Sequence, residues 1–161
     1  MSNVIDPTGS VTLVTGVPAL VAGTTTTVSY SAFNYVLNAV PKTRGAETNK
    51  AHPTTDVNTG VIFPTVTINK GTIIFYMVDT TGVLGAVQGT LADLDSAGKF
   101  ITAPKFPAIP AGWCPFAYLV VKVDSTGGSG WTASTNNQAS ATGVTYTRAD
   151  MYCVPTRLVA P

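Results

Sequence analysis

Chemistry in this chain would have to start from very few side chains. The single histidine, His52, lies in Ala51-His52-Pro53. A general base needs a group to orient it and a nucleophile within reach, and no Gly-x-Ser-x-Gly turn supplies a serine. His52 is therefore expected to be an exposed loop residue. Cys114 sits between Trp113 and Pro115 with no adjacent positive charge to favour a thiolate. Cys114 and Cys153 could close one bridge; the simpler expectation is two buried thiols packing as small hydrophobes. Asp93 and Asp95 form an Asp-x-Asp pair ahead of Gly98. A hard cation wants further oxygens at alternating positions, and no acidic residue follows until Asp124, so the pair reads as turn residues bonding their own backbone. Gly127, Gly128 and Gly130 lack the lysine and hydroxyl of a phosphate loop and read as a flexible turn. No catalytic residue, metal ligand or cofactor is expected from this inventory.

Binding residues are easier to nominate. Lys42, Arg44 and Lys50 form a short basic cluster relieved only by Glu47, a candidate electrostatic contact to an acidic neighbour. Phe106, Ile109 and Trp113 lie in a proline-rich connection and Trp131 in a glycine-rich one; all four are candidate interface residues. The tryptophans could also stack sugars, but no carboxylates or amides cluster beside them. Tyr30, Phe33, Tyr35, Phe63, Phe75, Tyr76, Phe116 and Tyr118 fall inside strand patterns and are expected in the core.

The elements that must position these residues are strands. Threonine and valine are over-used, both stiff at χ1 and suited to a pleated sheet, while glycine and proline interrupt every window long enough for a helix. Short strands are expected at Val11–Val14 and within Thr24–Ser31. Phe33, Tyr35 and Leu37 alternate with Asn34 and Val36 up to a turn at Asn38-Ala39. Residues 41–60 are polar and read as a long exposed loop or arm. Thr72–Val78, the turn Asp79-Thr80-Thr81-Gly82 and Val83–Gln88 read as a β-hairpin, its continuously apolar first arm central in a sheet. One helical turn or a strand end is expected over Leu91–Asp95. Pro104, Pro107, Pro110 and Pro115 forbid regular structure before a strand at Phe116–Val123, and the last strands fall over 144–154. The expected fold is all-β: a single β-sandwich or jelly-roll-like domain with long loops, residues 1–23 forming an N-terminal arm or first strand and 24–161 the sandwich or barrel body.

Composition narrows the class of function. Charged residues are 11% of the 161, against about 25% in an ordinary soluble domain. Nine basic and eight acidic residues leave a net charge of +1, which provides no field to attract nucleic acid or an anionic membrane. Mean hydropathy is positive at +0.27, yet no apolar run approaches the roughly 18–20 residues of a spanning helix. The first residues, Met1 to Pro7, show neither the positive start nor the apolar stretch of a secretory signal, so the chain is expected to stay, or be packaged, where it is made.

The stretch Thr72–Val123 adds a family. Its strand-turn-strand is followed by Phe106-Pro107-Ala108-Ile109-Pro110-Ala111-Gly112-Trp113-Cys114-Pro115 and the strand Phe116-Ala117-Tyr118-Leu119-Val120-Val121. This resembles the small β-rich structural proteins of tailed-bacteriophage virions, in which a Pro-x-Ile-Pro-Ala-Gly connection leads into a strand of the Gly/Ala-Tyr-hydrophobic-Val type. Ala117 stands where glycine is frequent. The resemblance implies a non-enzymatic protein that decorates or cements the capsid, or a head fibre, made in the host cytoplasm and placed on the outer surface of the virion. It implies partners in itself, as a homotrimer, and in the major capsid protein or another virion protein. A tail or fibre component that binds a receptor or carbohydrate is the alternative. In the assembly reading, Met1 to about Gly23 would staple neighbouring subunits together.

Overall fold

A computed structural model describes residues 4–5 and 11–152. The fold is all-β. Its strands are β1 (Val4–Ile5), β2 (Val11–Thr15), β3 (Val21–Ala22), β4 (Thr27–Tyr30), β5 (Phe33–Leu37) and β6 (Val40–Arg44), then β7 (Glu47–Ala51), β8 (Lys70–Asp79), β9 (Leu84–Gln88), β10 (Ala92–Asp93), β11 (Trp113–Val123) and β12 (Val144–Asp150). Three antiparallel sheets result, ordered β1-β2-β5-β6, β3-β4-β7 and β10-β8-β11-β12, with β9 also paired to β8.

The predicted hairpin is present. β8 and β9 join through a turn in which the Asp79 carboxylate accepts the backbone N–H of Thr81 and Val83, both at 2.8 Å, and Gly82 takes φ +83°. Those bonds hold the Asp79 carboxyl below its ordinary range, against the opposing effect of burial. β8 is central, with β11 along one side and β9 and β10 along the other. Its side chains alternate between two cores. Ile74, Tyr76 and Val78 enter the larger one, shared with β2, β4, β5 and β11; Phe75 and Met77 enter a smaller one with Val87 of β9. In the larger core Phe116 meets Phe33 at 4.8 Å and Tyr30 at 5.4 Å between ring centroids, which ties β11 to β4 and β5. Tyr35 adds a polar tie by donating its hydroxyl proton to the Asp79 carbonyl at 3.0 Å.

Four expectations need correction or completion. Residues 41–60 are not one long loop, since they supply most of β6 and all of β7. Their polarity reflects strands exposed on one side: β6 pairs with β5 and β7 with β4, and among the described residues neither has a partner on its other edge. β11 begins at Trp113 rather than Phe116. The strand tolerates Pro115 because its pairing with β8 shifts register between Pro115 and Ala117, a bulge where a missing N–H breaks no ladder bond. Leu91–Asp95 holds a two-residue strand, not a helical turn. Within 1–23, β2 pairs with β5, and Val14 and Leu20 are buried in the larger core, so residues 11–22 belong to the body. Residues 1–3 and 6–10 lie outside the described residues.

The turn at Asn38-Ala39 carries strain that the sequence does not advertise. Leu37 pairs with Val40 across it, and both turn residues take positive φ, 54° and 62°. A type I′ turn demands this, and Ala39 bears a Cβ where glycine is the usual occupant. Left-handed backbone costs a non-glycine residue about 1–2 kcal/mol, and glycine's added unfolded-state freedom about 0.5–1 kcal/mol. Ala39→Gly is expected to stabilise the fold by up to about 1 kcal/mol, raising the midpoint of a calorimetric scan by a few degrees; a lower midpoint would show the turn to be unstrained.

Candidate functional site

The outer face of β8, β9 and β11, away from the larger core, is apolar, and among the described residues no second sheet covers it. Phe75, Met77 and Val87 are buried there, with Val57, Ile109, Trp113, Tyr118 and Met151 packed partly around them. The cover is residues 102–112, which run without regular structure over this face. Pro104, Pro107 and Pro110 have no N–H to leave unsatisfied, so an extended segment can lie on an apolar surface at low cost.

Two glycines seat this strap and the Trp113 that follows it. A Cβ on Gly85 of β9 would overlap the Trp113 ring, and one on Gly89 would come within 2.8 Å of the Lys105 carbonyl oxygen. The Asn58 side-chain amide pins the strap from the other flank, donating to the Ala108 carbonyl at 2.8 Å. Asn58 is held in turn by its backbone N–H bond to the Asp56 carboxylate, which also accepts the Gln88 N–H.

On this platform Phe106 is 59% exposed, but it is not loose. Its ring stacks on Phe75 at 5.3 Å with an interplanar angle of 8°, and meets Tyr118 edge-on at 5.7 Å. The fixed, exposed ring is flanked by half-buried Ile109, Trp113 and Tyr118. Three of the four residues nominated as interface, Phe106, Ile109 and Trp113, thus come together. Trp131 does not. It is fully buried in the larger core, its Nε1–H donating to the Asn137 carbonyl at 3.0 Å, so the interface expectation for it is corrected. The surrounding small polar residues disguised a loop that folds inward, closed by the backbone pair of Trp131 with Val66.

No family model, curated protein or solved structure matches this chain. Function has to be argued from the geometry.

The basic cluster is partly neutralised where it stands. Arg44 donates to the Tyr30 hydroxyl from Nε and Nη2, at 3.1 and 2.8 Å, and to Glu47 at 2.8 Å; Lys50 lies 3.7 Å from the same carboxylate. Arg44 and Lys50 line a shallow recess with Thr81, Gly82 and Val83. Lys42 does not line it and sits further along β6, opposite Tyr35. Asp93 pairs with Lys70, and Asp95 accepts the N–H groups of Ala97 and Lys99 in a turn. Cys114 is buried, and burial pushes its thiol up to about 12; Cys153 lies outside the described residues.

His52 is the residue whose placement was missed most widely. It is 4% exposed and packs edge-on against Phe63 and Tyr76 at 5.2 and 5.4 Å. Its Nδ1 lies 2.7 Å from the Pro53 carbonyl oxygen, and Nε2 is buried without a hydrogen-bond partner. Its burial follows from the strand before it: β7 delivers the chain inward, and the His52 N–H bonds the Thr26 carbonyl at 3.0 Å. Burial holds the imidazole down to about 4, from an ordinary 6.5.

Two outcomes follow. Folding favours neutral His52, so its contribution is complete above pH 6.5 and is lost as pH falls toward 4. Chemical denaturation should show a loss of about 3 kcal/mol across that window, absent in His52→Gln; parallel pH curves for the two proteins would refute the burial. Gly85→Ala should cost about 1–3 kcal/mol by overpacking and red-shift the Trp113 emission, with Trp131→Phe as the background that isolates it. An unchanged spectrum would mean that Trp113 is not seated on Gly85.

Proposed function

We propose that this chain is a non-enzymatic assembly protein that attaches to protein neighbours through the strap face. The observation that carries the reading is Phe106, an apolar ring largely in solvent yet fixed against Phe75 and Tyr118. An aromatic anchor held in place before binding loses little side-chain entropy on docking, which is the behaviour of interface hot spots. The sparse charge fits the same reading, because a surface meant for neighbouring subunits is costly to cover with charges that must be desolvated.

The resemblance in Thr72–Val123 gives that role a setting, the shell of a tailed-phage virion, where the protein would decorate or cement the capsid against the major capsid protein or another virion protein. The motif that carries the resemblance overlaps the strap over residues 106–112, which include Phe106. The alternative setting, a tail or fibre component binding a receptor or carbohydrate, would use the same face for stacking, with Phe106 and Trp113 as its aromatic residues.

The test is Phe106→Asp. The isolated variant should keep its melting midpoint within a few degrees, because the ring is mostly in solvent. In virions carrying the variant, copy number on the shell should fall roughly tenfold or more, the scale of a central aromatic anchor. Wild-type copy number would sink the assembly reading. A saturable fluorescence response of the wild-type protein to sugars, lost in the variant, would move the function to the carbohydrate alternative.

A further inference from the structure

Among the described residues the sheet built on β8 ends at β12, which pairs with β11 and with no other strand. Which backbone groups this edge presents can be worked out. The Met151 N–H donates to the Phe116 carbonyl of β11, and the Gly143 carbonyl accepts the Asp124 N–H just beyond the other end of the pair. Backbone groups alternate sides along a strand, so Thr145, Thr147 and Ala149 bond β11 while Tyr146 and Arg148 point their N–H and C=O outward. Among the described residues those four outward groups have no partner.

The other edges carry features that discourage pairing. β6 contains Pro41 and Lys42, β7 has Asn49 in left-handed backbone at φ 54°, and β9 is five residues long. β12 has none of these. It is seven residues long, Val-Thr-Tyr-Thr-Arg-Ala-Asp, without proline and rich in strand-forming types. Its two charges are turned to intramolecular use. Arg148 donates to the Gln138 carbonyl, and the Asp150 carboxylate accepts the N–H groups of Ala19 and Leu20, each at 3.0 Å.

We infer that β12 is a self-pairing edge, which joins two copies of this chain antiparallel about a two-fold axis at Thr147. That register is self-complementary. Tyr146 of each copy faces Arg148 of the other and exchanges both backbone bonds, giving four in all, and the aromatic–cation pairing already present within one strand is repeated between strands. The two Thr147 residues form the close non-hydrogen-bonded pair on the exposed face, a favourable cross-strand combination. Centring on Arg148 would set two cations opposite each other, and the sequence disfavours it. The pairing is isologous, so it closes at two copies rather than three. Its backbone bonds run in the plane of the sheet from the β12 edge and do not involve Phe106, although Thr147 lies on the same outer face as Tyr118.

Thr147 is exposed, and its side chain can be changed without touching the core. In a Cys153→Ser background, Thr147→Cys should form a covalent dimer on mild oxidation, because its Cα separation in such a pair, about 4.5 Å, lies within disulfide reach. Thr145→Cys, which faces Ala149, should not. Light scattering on the wild-type chain should give the mass of a dimer, and Thr147→Lys should weaken association tenfold or more with an unchanged melting profile. A monomeric wild type, a trimer whose mass Thr147→Lys leaves unaltered, or failure of Thr147→Cys to cross-link would each overturn the inference. A monomer whose Tyr146 and Arg148 amides resist hydrogen exchange would place an intramolecular partner on the edge instead. Phe106→Asp should leave the dimer intact, so failure of the strap face and failure of this edge are distinguishable.

Discussion

Burial of β8 on both faces is the constraint around which the molecule is arranged. A strand with one solvated face needs a single apolar set at every second position; Ile73 to Val78 is apolar at every position, and each face has to be covered by something. Ile74, Tyr76 and Val78 are covered by β2, β4 and β5 across the larger core. Phe75 and Met77 are not covered in the same way, because the described residues build no sheet over that face. A proline-spaced strap takes that place; its need to lie close to the strands accounts for Gly89, and the seat of the Trp113 ring that follows it accounts for Gly85. The exposed Phe106 follows from the same requirement, as the ring that caps Phe75 from the solvent side.

Features governed by local periodicity were legible in the sequence. The hairpin Thr72–Gln88, the alternation Phe33–Leu37 and the irregular proline connection depend on neighbours in sequence, and the structure has the first two whole and the third as far as Gly112, where β11 takes over. The fold class followed from residue types alone. Residues 41–60 were illegible for a physical reason: β6 and β7 are edge strands whose polar side chains meet solvent, so neither shows an apolar alternation, and β7 takes its ladder bonds from β4 rather than from its neighbour in sequence. The same segment hid His52, buried by Phe63 and Tyr76, neither of which is near it in sequence. Trp131 was misjudged by the converse error, a large ring judged by the small polar residues beside it. Of the strap site, sequence supplied Phe106, Ile109 and Trp113 but not the platform beneath them, because Phe75 and Tyr118 alternate on strands whose continuous apolarity conceals which face each residue joins.

Polar groups in the larger core are few and unevenly satisfied. Gln138 Nε2 and Arg148 Nη2 donate to backbone carbonyls, while Gln138 Oε1, Arg148 Nε, the Tyr76 hydroxyl and His52 Nε2 are buried without partners among the described residues. Burial raises the Tyr76 hydroxyl far above its ordinary range, so it stays protonated at any physiological pH. Unmet polar groups of this kind cost stability, and the aromatic contacts around Phe116 offset that cost from the same core.

The strap also separates two kinds of inheritance. Strands β8, β9 and β11 are bound by ladder bonds and by packing on both sides, so substitutions there are paid in stability. Phe106 contributes a ring mostly in solvent, on a segment joined to the sheet by side-chain packing and one amide bond. Descendants of this sequence can therefore exchange the exposed residues of the strap and acquire a new neighbour while the scaffold beneath is conserved, and divergence in attachment can outrun divergence in fold.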